Sequence, residues 1–190
     1  DWYALDLATY KWSSLPLMPQ GSDRQYACAF AGNNCFYVFG GAGAGGALND
    51  LLKFDIATNT WTTLAAMPGP GLIAASCISF GNRVIIAGGR FVSGATNRDV
   101  WEYQLSSNAW QKKNPIPFPG RWRASATELH GFGYLLFGID SSGSFHKELY
   151  RYDPNVDTWA KASDFPGATG RGYAAVAGLS NKLFVFGGYD

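Results

Sequence analysis

The stretch NTWTTLAAMP, residues 59–68, holds a tryptophan that returns along the chain at one interval. Trp12, Trp61, Trp110 and Trp159 are each separated by 49 residues. A fixed period of about 20–50 residues is the signature of a repeat architecture, and it decides the fold before any local reading does. The same shift aligns Asp1, Asp50, Asp99 and Glu148, then Leu5, Phe54, Tyr103 and Tyr152, then Asp6, Asp55, Gln104 and Asp153. Pro19, Pro68, Pro117 and Pro166 close the units. A second signature lies between them: YVFGG at 37–41, IIAGG at 85–89, LLFGI at 135–139 and FVFGG at 184–188. The third copy reads as having lost its second glycine to Ile139.

Each unit reads as four strands and no helix. In the first whole unit, QYACAFA (25–31) alternates, Gly32-Asn33 signals a tight turn, and CFYVFGG follows. After a Gly-rich loop come LLKFDI, a turn at Ala57-Thr58-Asn59, and TWTTL. No segment sustains the 3.6-residue period of a helix. One four-stranded unit cannot bury both its faces, so its apolar residues become a core only when the next unit stacks on it. The first strand of each unit carries small residues: Ala27 and Ala29, Ala74 and Ala75, Ala124 and Ala126, Ala174 and Ala175. The last carries the Trp. Small residues inside and large ones outside describe wedge-shaped blades, so the fold class expected is an all-β β-propeller.

These residues resemble kelch repeats. The likeness rests on the double glycine after an apolar strand, the aromatic-Asp pair some way on, and the Trp after that. It extends over the whole chain, 1–190, as a single domain. The period favours kelch over WD repeats, which are shorter and carry a Trp-Asp signature missing here. Repeat boundaries fall near 1–22, 23–70, 71–119, 120–168 and 169–190. The chain starts at a third strand and stops after a second, so the expectation is four blades, one completed jointly by the N-terminal and C-terminal strands. Two alternatives are half of an eight-bladed ring built by two copies, and a fragment of a larger propeller. Each Trp is expected to wedge against the adjacent blade, with a cost of about 3–5 kcal/mol on truncation to Ala if buried.

Composition narrows the function classes. Charged residues make up 15% of 190 and the net charge is +1, which argues against a nucleic-acid or anionic-membrane binder. No run of 18 apolar residues could form a membrane-spanning helix. The first residues lack the regions of a signal peptide, so no compartment is read from them. Cys28, Cys35 and Cys77 have no framework spacing and are expected as free thiols. GAGAGG at 41–46 precedes a strand rather than a helix, so it reads as a blade loop and not a phosphate cradle. His130 and His146 are the only histidines, and no metal or other cofactor is expected. Glu128, in the inner strand RASATELH, is the most conspicuous ionisable residue. It reads first as a wet strand end and second as an acid/base group.

The binding candidates form a basic and aromatic rim. Arg24 and Arg171 lie three periods apart, where an inner strand begins, and the third unit places Trp122 there between Arg121 and Arg123. Tyr26 and Tyr173 follow their arginines by two. Arg, Trp and Tyr are the side chains most often found as binding hot spots, and guanidinium forks onto carboxylates. The resemblance to kelch substrate adaptors implies capture of acidic peptide segments at Arg24, Arg123 and Arg171. The long loops after the double glycines, with Arg90, Phe91, Arg98, Phe145, His146 and Lys147, are the other choice. The expected function is a non-catalytic module that binds a protein or peptide, acidic in character, as a monomer or homodimer. One alternative is an enzyme similar to the sialic-acid mutarotase and epimerase kelch proteins, using Arg with Glu128 or Glu102. The other is a carbohydrate-binding propeller that stacks sugars on Trp122 and Tyr.

Overall fold

A computed structural model describes residues 2–190; Asp1 and its place in the 49-residue series lie outside the described residues. Every regular element is a strand. The first hairpin is β1 (Tyr3–Asp6) with β2 (Lys11–Ser14). The first full blade holds β3 (Cys28–Gly32), β4 (Cys35–Phe39), β7 (Leu51–Asp55) and β8 (Thr60–Thr63), paired in that order. Its Gly-rich loop folds into a separate ladder of β5 (Ala42–Gly43) and β6 (Gly46–Ala47). The second blade is β9 (Ser76–Ser79), β10 (Arg83–Ala87), β11 (Val100–Gln104) and β12 (Ala109–Lys113). The third is β13 (Ser125–Leu129), β14 (Phe132–Leu136), β15 (Glu148–Asp153) and β16 (Thr158–Asp164). A last hairpin joins β17 (Ala175–Leu179) to β18 (Lys182–Phe186).

The periodic residues now have physical roles. Phe54, Tyr103 and Tyr152 are buried and stand directly across the ladder from Trp61, Trp110 and Trp159. Their ring centroids lie 5.1, 4.8 and 4.7 Å apart, within the favoured range for aromatic pairs. The aspartates cap the turn between the outer strands. Asp55 Oδ1 accepts from the N–H groups of Ala57 and Thr58, Asp6 Oδ1 from those of Ala8 and Thr9, and Asp153 Oδ1 from Asn155. These backbone hydrogen bonds hold the Asp6 and Asp55 carboxyls below the usual carboxylate range. In the inner hairpin of the first blade the tight turn falls on Asn33 and Asn34, both at positive φ, one residue later than the sequence reading placed it.

Trp61 and Trp110 do lean on the neighbouring unit. The Trp110 Nε1–H donates to Ala65 O at 2.7 Å, and the Trp61 Nε1–H to Pro16 O at 2.9 Å. Both side chains are half-buried rather than buried, and Trp12, with no sheet beside it, is 68% exposed. Trp110→Ala should therefore cost about 2–3 kcal/mol, below the range for a fully buried indole; urea unfolding followed by circular dichroism checks this.

Blades join along the axis through four residues in left-handed conformation. Tyr26, Ala74, Arg123 and Tyr173 all have φ between 50° and 58°. The Ala74 N–H donates to Tyr26 O, that of Arg123 to Ala74 O, and that of Tyr173 to Arg123 O. Small inner side chains add ties: Ser76 Oγ reaches Ala124 O and Ser125 Oγ reaches Ala174 O in the next unit. The kelch-type propeller architecture is thus as expected. Within it, the terminal strands differ from expectation. β1–β2 and β17–β18 remain separate two-stranded sheets with no ladder between them. Tyr26 and Tyr173, one from each end of the axial string, meet instead through their rings, stacked with centroids 6.1 Å apart.

Candidate functional site

The double glycine builds the site by controlling how closely blades approach. The Gly41 N–H donates to Leu72 O, that of Gly89 to Arg121 O, and that of Gly138 to Arg171 O. Gly138 is therefore the second glycine of the third unit, and Phe137, buried at φ 69°, fills the first glycine's place. The lost glycine is thus the first of the pair, at Phe137, and not the second at Ile139 that a fixed 49-residue interval implies. After each second glycine one residue bridges back to the inner strand, giving Gln25 with Ala42, Ile73 with Arg90, Trp122 with Ile139, and Gly172 with Tyr189. These bridges ring the axis and set the mouth of the propeller.

The rim arginines divide into two groups. Arg24, only 3% exposed in its side chain, is a structural staple. Its Nη1 and Nη2 grip Asp50 at 2.7 and 2.8 Å, Nη1 also reaches Gly40 O, and Nε donates to Ser22 O. Arg121 repeats this position in the third unit. It is 1% exposed, donates to Phe137 O at 3.1 Å, pairs with Glu148 at 3.5 Å and stacks on Phe118. Burial lowers its pKa against the opposing pull of Glu148. Arg171 keeps the carbonyl contact, to Gly187 O at 2.8 Å, and stacks on Phe165. In all three the carbonyl lies 16 residues on. Arg121, not Trp122, is thus the equivalent of Arg24. Arg24 and Arg121 are thereby engaged by carboxylates, whereas Arg171 is tied to the carbonyl alone.

The second group converges. Arg123 is held among four rings, with its guanidinium carbon 3.8 Å from the Trp122 centroid, 4.7 Å from Tyr173, 5.6 Å from Tyr189 and 5.7 Å from Tyr26. It also donates to the Tyr189 hydroxyl. Arg90 lies 3.8 Å from the same Trp122 centroid. One ring face has room for one guanidinium at that distance, so the two cations sandwich the indole. Neither arginine pairs with a carboxylate among the described residues, and each has a buried Nε–H without an acceptor. Two like charges up to about 7.6 Å apart repel by ~2 kcal/mol before solvent screening reduces it. With both faces of Trp122 covered, no face is open for a sugar ring. Tyr26, Trp122, Arg123 and Tyr173 from the sequence reading come together here. Arg90, read as belonging to a separate loop site, and Tyr189, not singled out, complete the cluster through the axial bridges.

The acid/base candidates are engaged elsewhere. Glu128 Oε1 accepts from the Gly131 N–H at 2.6 Å and caps the turn between β13 and β14. Glu102 is buried beside Arg83 at 3.6 Å and Lys113 at 4.0 Å. His146 lies between Asp140 at 2.9 Å and Glu148 at 3.4 Å. At Asp140, burial pushes the carboxyl up. Hydrogen bonds from Ser142, His146 and the Ser144 and Ser142 N–H groups outweigh it and hold the pKa at about 2, against an ordinary 3.8. A depressed carboxylate stabilises the fold above its unfolded pKa and loses that effect as pH falls through the folded one. Asp140→Asn should therefore be less stable than the parent at neutral pH and match it near about pH 2, as read from urea midpoints across pH. A crevice of about 500 Å³ between β1–β2 and the first blade is lined by Trp2, Phe36, Val38 and Trp61 and lies apart from the mouth; its Arg24 wall is spent on Asp50.

A family model described as the KLHDC2/KLHL20/DRC7 Kelch-repeats domain matches residues 1–138. No curated protein matches the chain. The solved structure entitled "Structure of YjhT", a kelch-type propeller, superposes with a TM-score of 0.79 at 19% identity, a likeness of fold alone. It is covered to 60% of its length, and 90% of the present chain takes part. Repeat period, double glycines, four-stranded sheets and the family match over residues 1–138 agree: the chain belongs to the kelch-repeat family.

Proposed function

We propose that the chain is a non-catalytic interaction module whose axial mouth captures an acidic peptide segment of a protein partner. The observation that carries this reading is the Arg90–Trp122–Arg123 sandwich, two adjacent cations without a carboxylate partner among the described residues. A carboxylate docking at the rim beside the indole relieves their repulsion and supplies acceptors in a charge-assisted geometry. Tyr26, Tyr173 and Tyr189 add rigid contact area with hydroxyl tips. The surrounding blades hold these groups on strand ends, which favours a preorganised contact.

Fluorescence anisotropy with labelled hexaglutamate tests it. Arg90→Ala and Arg123→Ala should each weaken binding about 10–100-fold. Arg151→Ala, at an exposed position of β15 and stacked on Phe132, should leave it within about twofold. Hexaglutamine should not compete. Equal binding by the parent and both mouth variants would remove the assignment.

A further inference from the structure

A second feature lies in the seam between the first two blades. The residue that opens each inner strand faces the next blade, as Ser76 Oγ and Ser125 Oγ show by reaching the carbonyls of Ala124 and Ala174. Cys28 occupies this position in the first blade, paired across the ladder with Phe39 as Ser76 is with Ala87. Cys77, one residue further along β9, faces back: its Sγ lies 3.7 Å from Ala29 O, next to Cys28. The Cys28 thiol is near enough to act on its neighbour, adding to burial in raising the Cys77 pKa. Both residues are half-buried and pack against the same core cluster, so the seam is tight but not sealed. Cys35 lies elsewhere, at the far end of the β3–β4 hairpin opposite Gly32 and beside Tyr37, whose pKa burial pushes up to about 12.

We propose that Cys28 and Cys77 form a redox-sensitive pair that closes to an inter-blade disulfide in the presence of a low-molecular-weight disulfide such as oxidised glutathione. The Cys28 thiolate attacks one glutathione sulfur, forming a mixed disulfide and releasing the first glutathione thiol. Cys77 then attacks the Cys28 sulfur, the protein disulfide forms, and the second glutathione thiol leaves. Two protein thiols are oxidised, one glutathione disulfide is reduced, and the two thiol protons end on the two released glutathiones. Burial, followed by the neighbouring Cys28 thiol, raises the Cys77 pKa and makes it the poorer first attacker; in the second step its proximity to Cys28 offsets the smaller thiolate fraction. The new bond runs beside the Ala74-to-Tyr26 axial hydrogen bond and joins inner strands whose core already packs together.

The test is a titration of the protein with oxidised and reduced glutathione at graded ratios, read by intact mass and by peptide mapping without reduction. The expected product is lighter by about 2 Da, reverts with a thiol reductant, and yields a linked Cys28–Cys77 peptide with Cys35 still open to alkylation. In Cys77→Ser the expected product is instead a lasting glutathione adduct on Cys28, since nothing resolves it. A stable adduct on Cys28 in the parent protein, a linkage that includes Cys35, or no modification at oxidising ratios would each overturn the pairing.

Discussion

Arg24→Ala should lower the stability of the protein by about 3–5 kcal/mol, the largest loss expected from any single side chain here. Arg24 is not a surface arginine whose ion pair is screened. Its side chain is 3% exposed and serves four acceptors at once: both Asp50 oxygens, Gly40 O and Ser22 O. It ties the approach to the inner strand of the first blade to the start of β7, across 26 residues of sequence. Removing it leaves a partly buried carboxylate and two carbonyls without their donor, and unpaired buried groups cost more than the pair contributes. Arg24→Met, which keeps the apolar stem, should recover only the packing part. Urea unfolding of the two variants separates the contributions. A loss below about 1 kcal/mol for Arg24→Ala would mean the pair behaves as an exposed one.

The second large effect is expected at Gly41. Its φ of 97° is a conformation that side chains disfavour, and a Cβ there would stand 2.6 Å from Gln25 O and 2.9 Å from Ala27 N. The obstruction is backbone, not the end of a flexible side chain, so the inner strand itself must shift. That shift would strain the hydrogen bond from the Gly41 N–H to Leu72 O, which joins the first blade to the second. Conformational strain and clash together should cost about 3 kcal/mol or more for Gly41→Ala. Gly45→Ala, in the same loop with open space around its Cβ position, should be close to neutral. Thermal unfolding of the pair checks the contrast.

Much of this was legible in the chain. The 49-residue return of Trp, its cross-strand aromatic and the turn-capping Asp are local signals. Each comes from residues within one hairpin, and the strand pairing preserves their spacing. What the period could not reveal was the register at the start of the inner strands. The link from Trp61 to Leu72 is one residue shorter than that from Trp12 to Arg24, so a fixed shift placed Trp122 where Arg121 belongs. The same slip moved the missing glycine from position 137 to 139. A register error of one residue exchanged a buried staple for a mouth residue in the third unit, and Arg24 and Arg171 looked like binding groups because their partners are distant in sequence. The partners of Arg24, Arg121 and Arg171, a carbonyl 16 residues on and in two cases an acid 26 or 27 residues on, form only when the blade folds. Arg90 and Tyr189 reach the mouth through bridges after the double glycine. The constant spacing of those bridges from residues 25, 73, 122 and 172 was present in the sequence and could have found them.

Blades packed side by side about an axis, and tied there by left-handed residues, place Arg90 and Arg123 against one indole. Hydrogen–deuterium exchange resolved to single amides tests this arrangement most directly. The amides of Ala74, Arg123 and Tyr173, each bonded to the preceding unit, should exchange as slowly as those of β4 and β10. Exchange of these three at the rate of the exposed loop around Ser142 would contradict the axial string and the mouth built upon it.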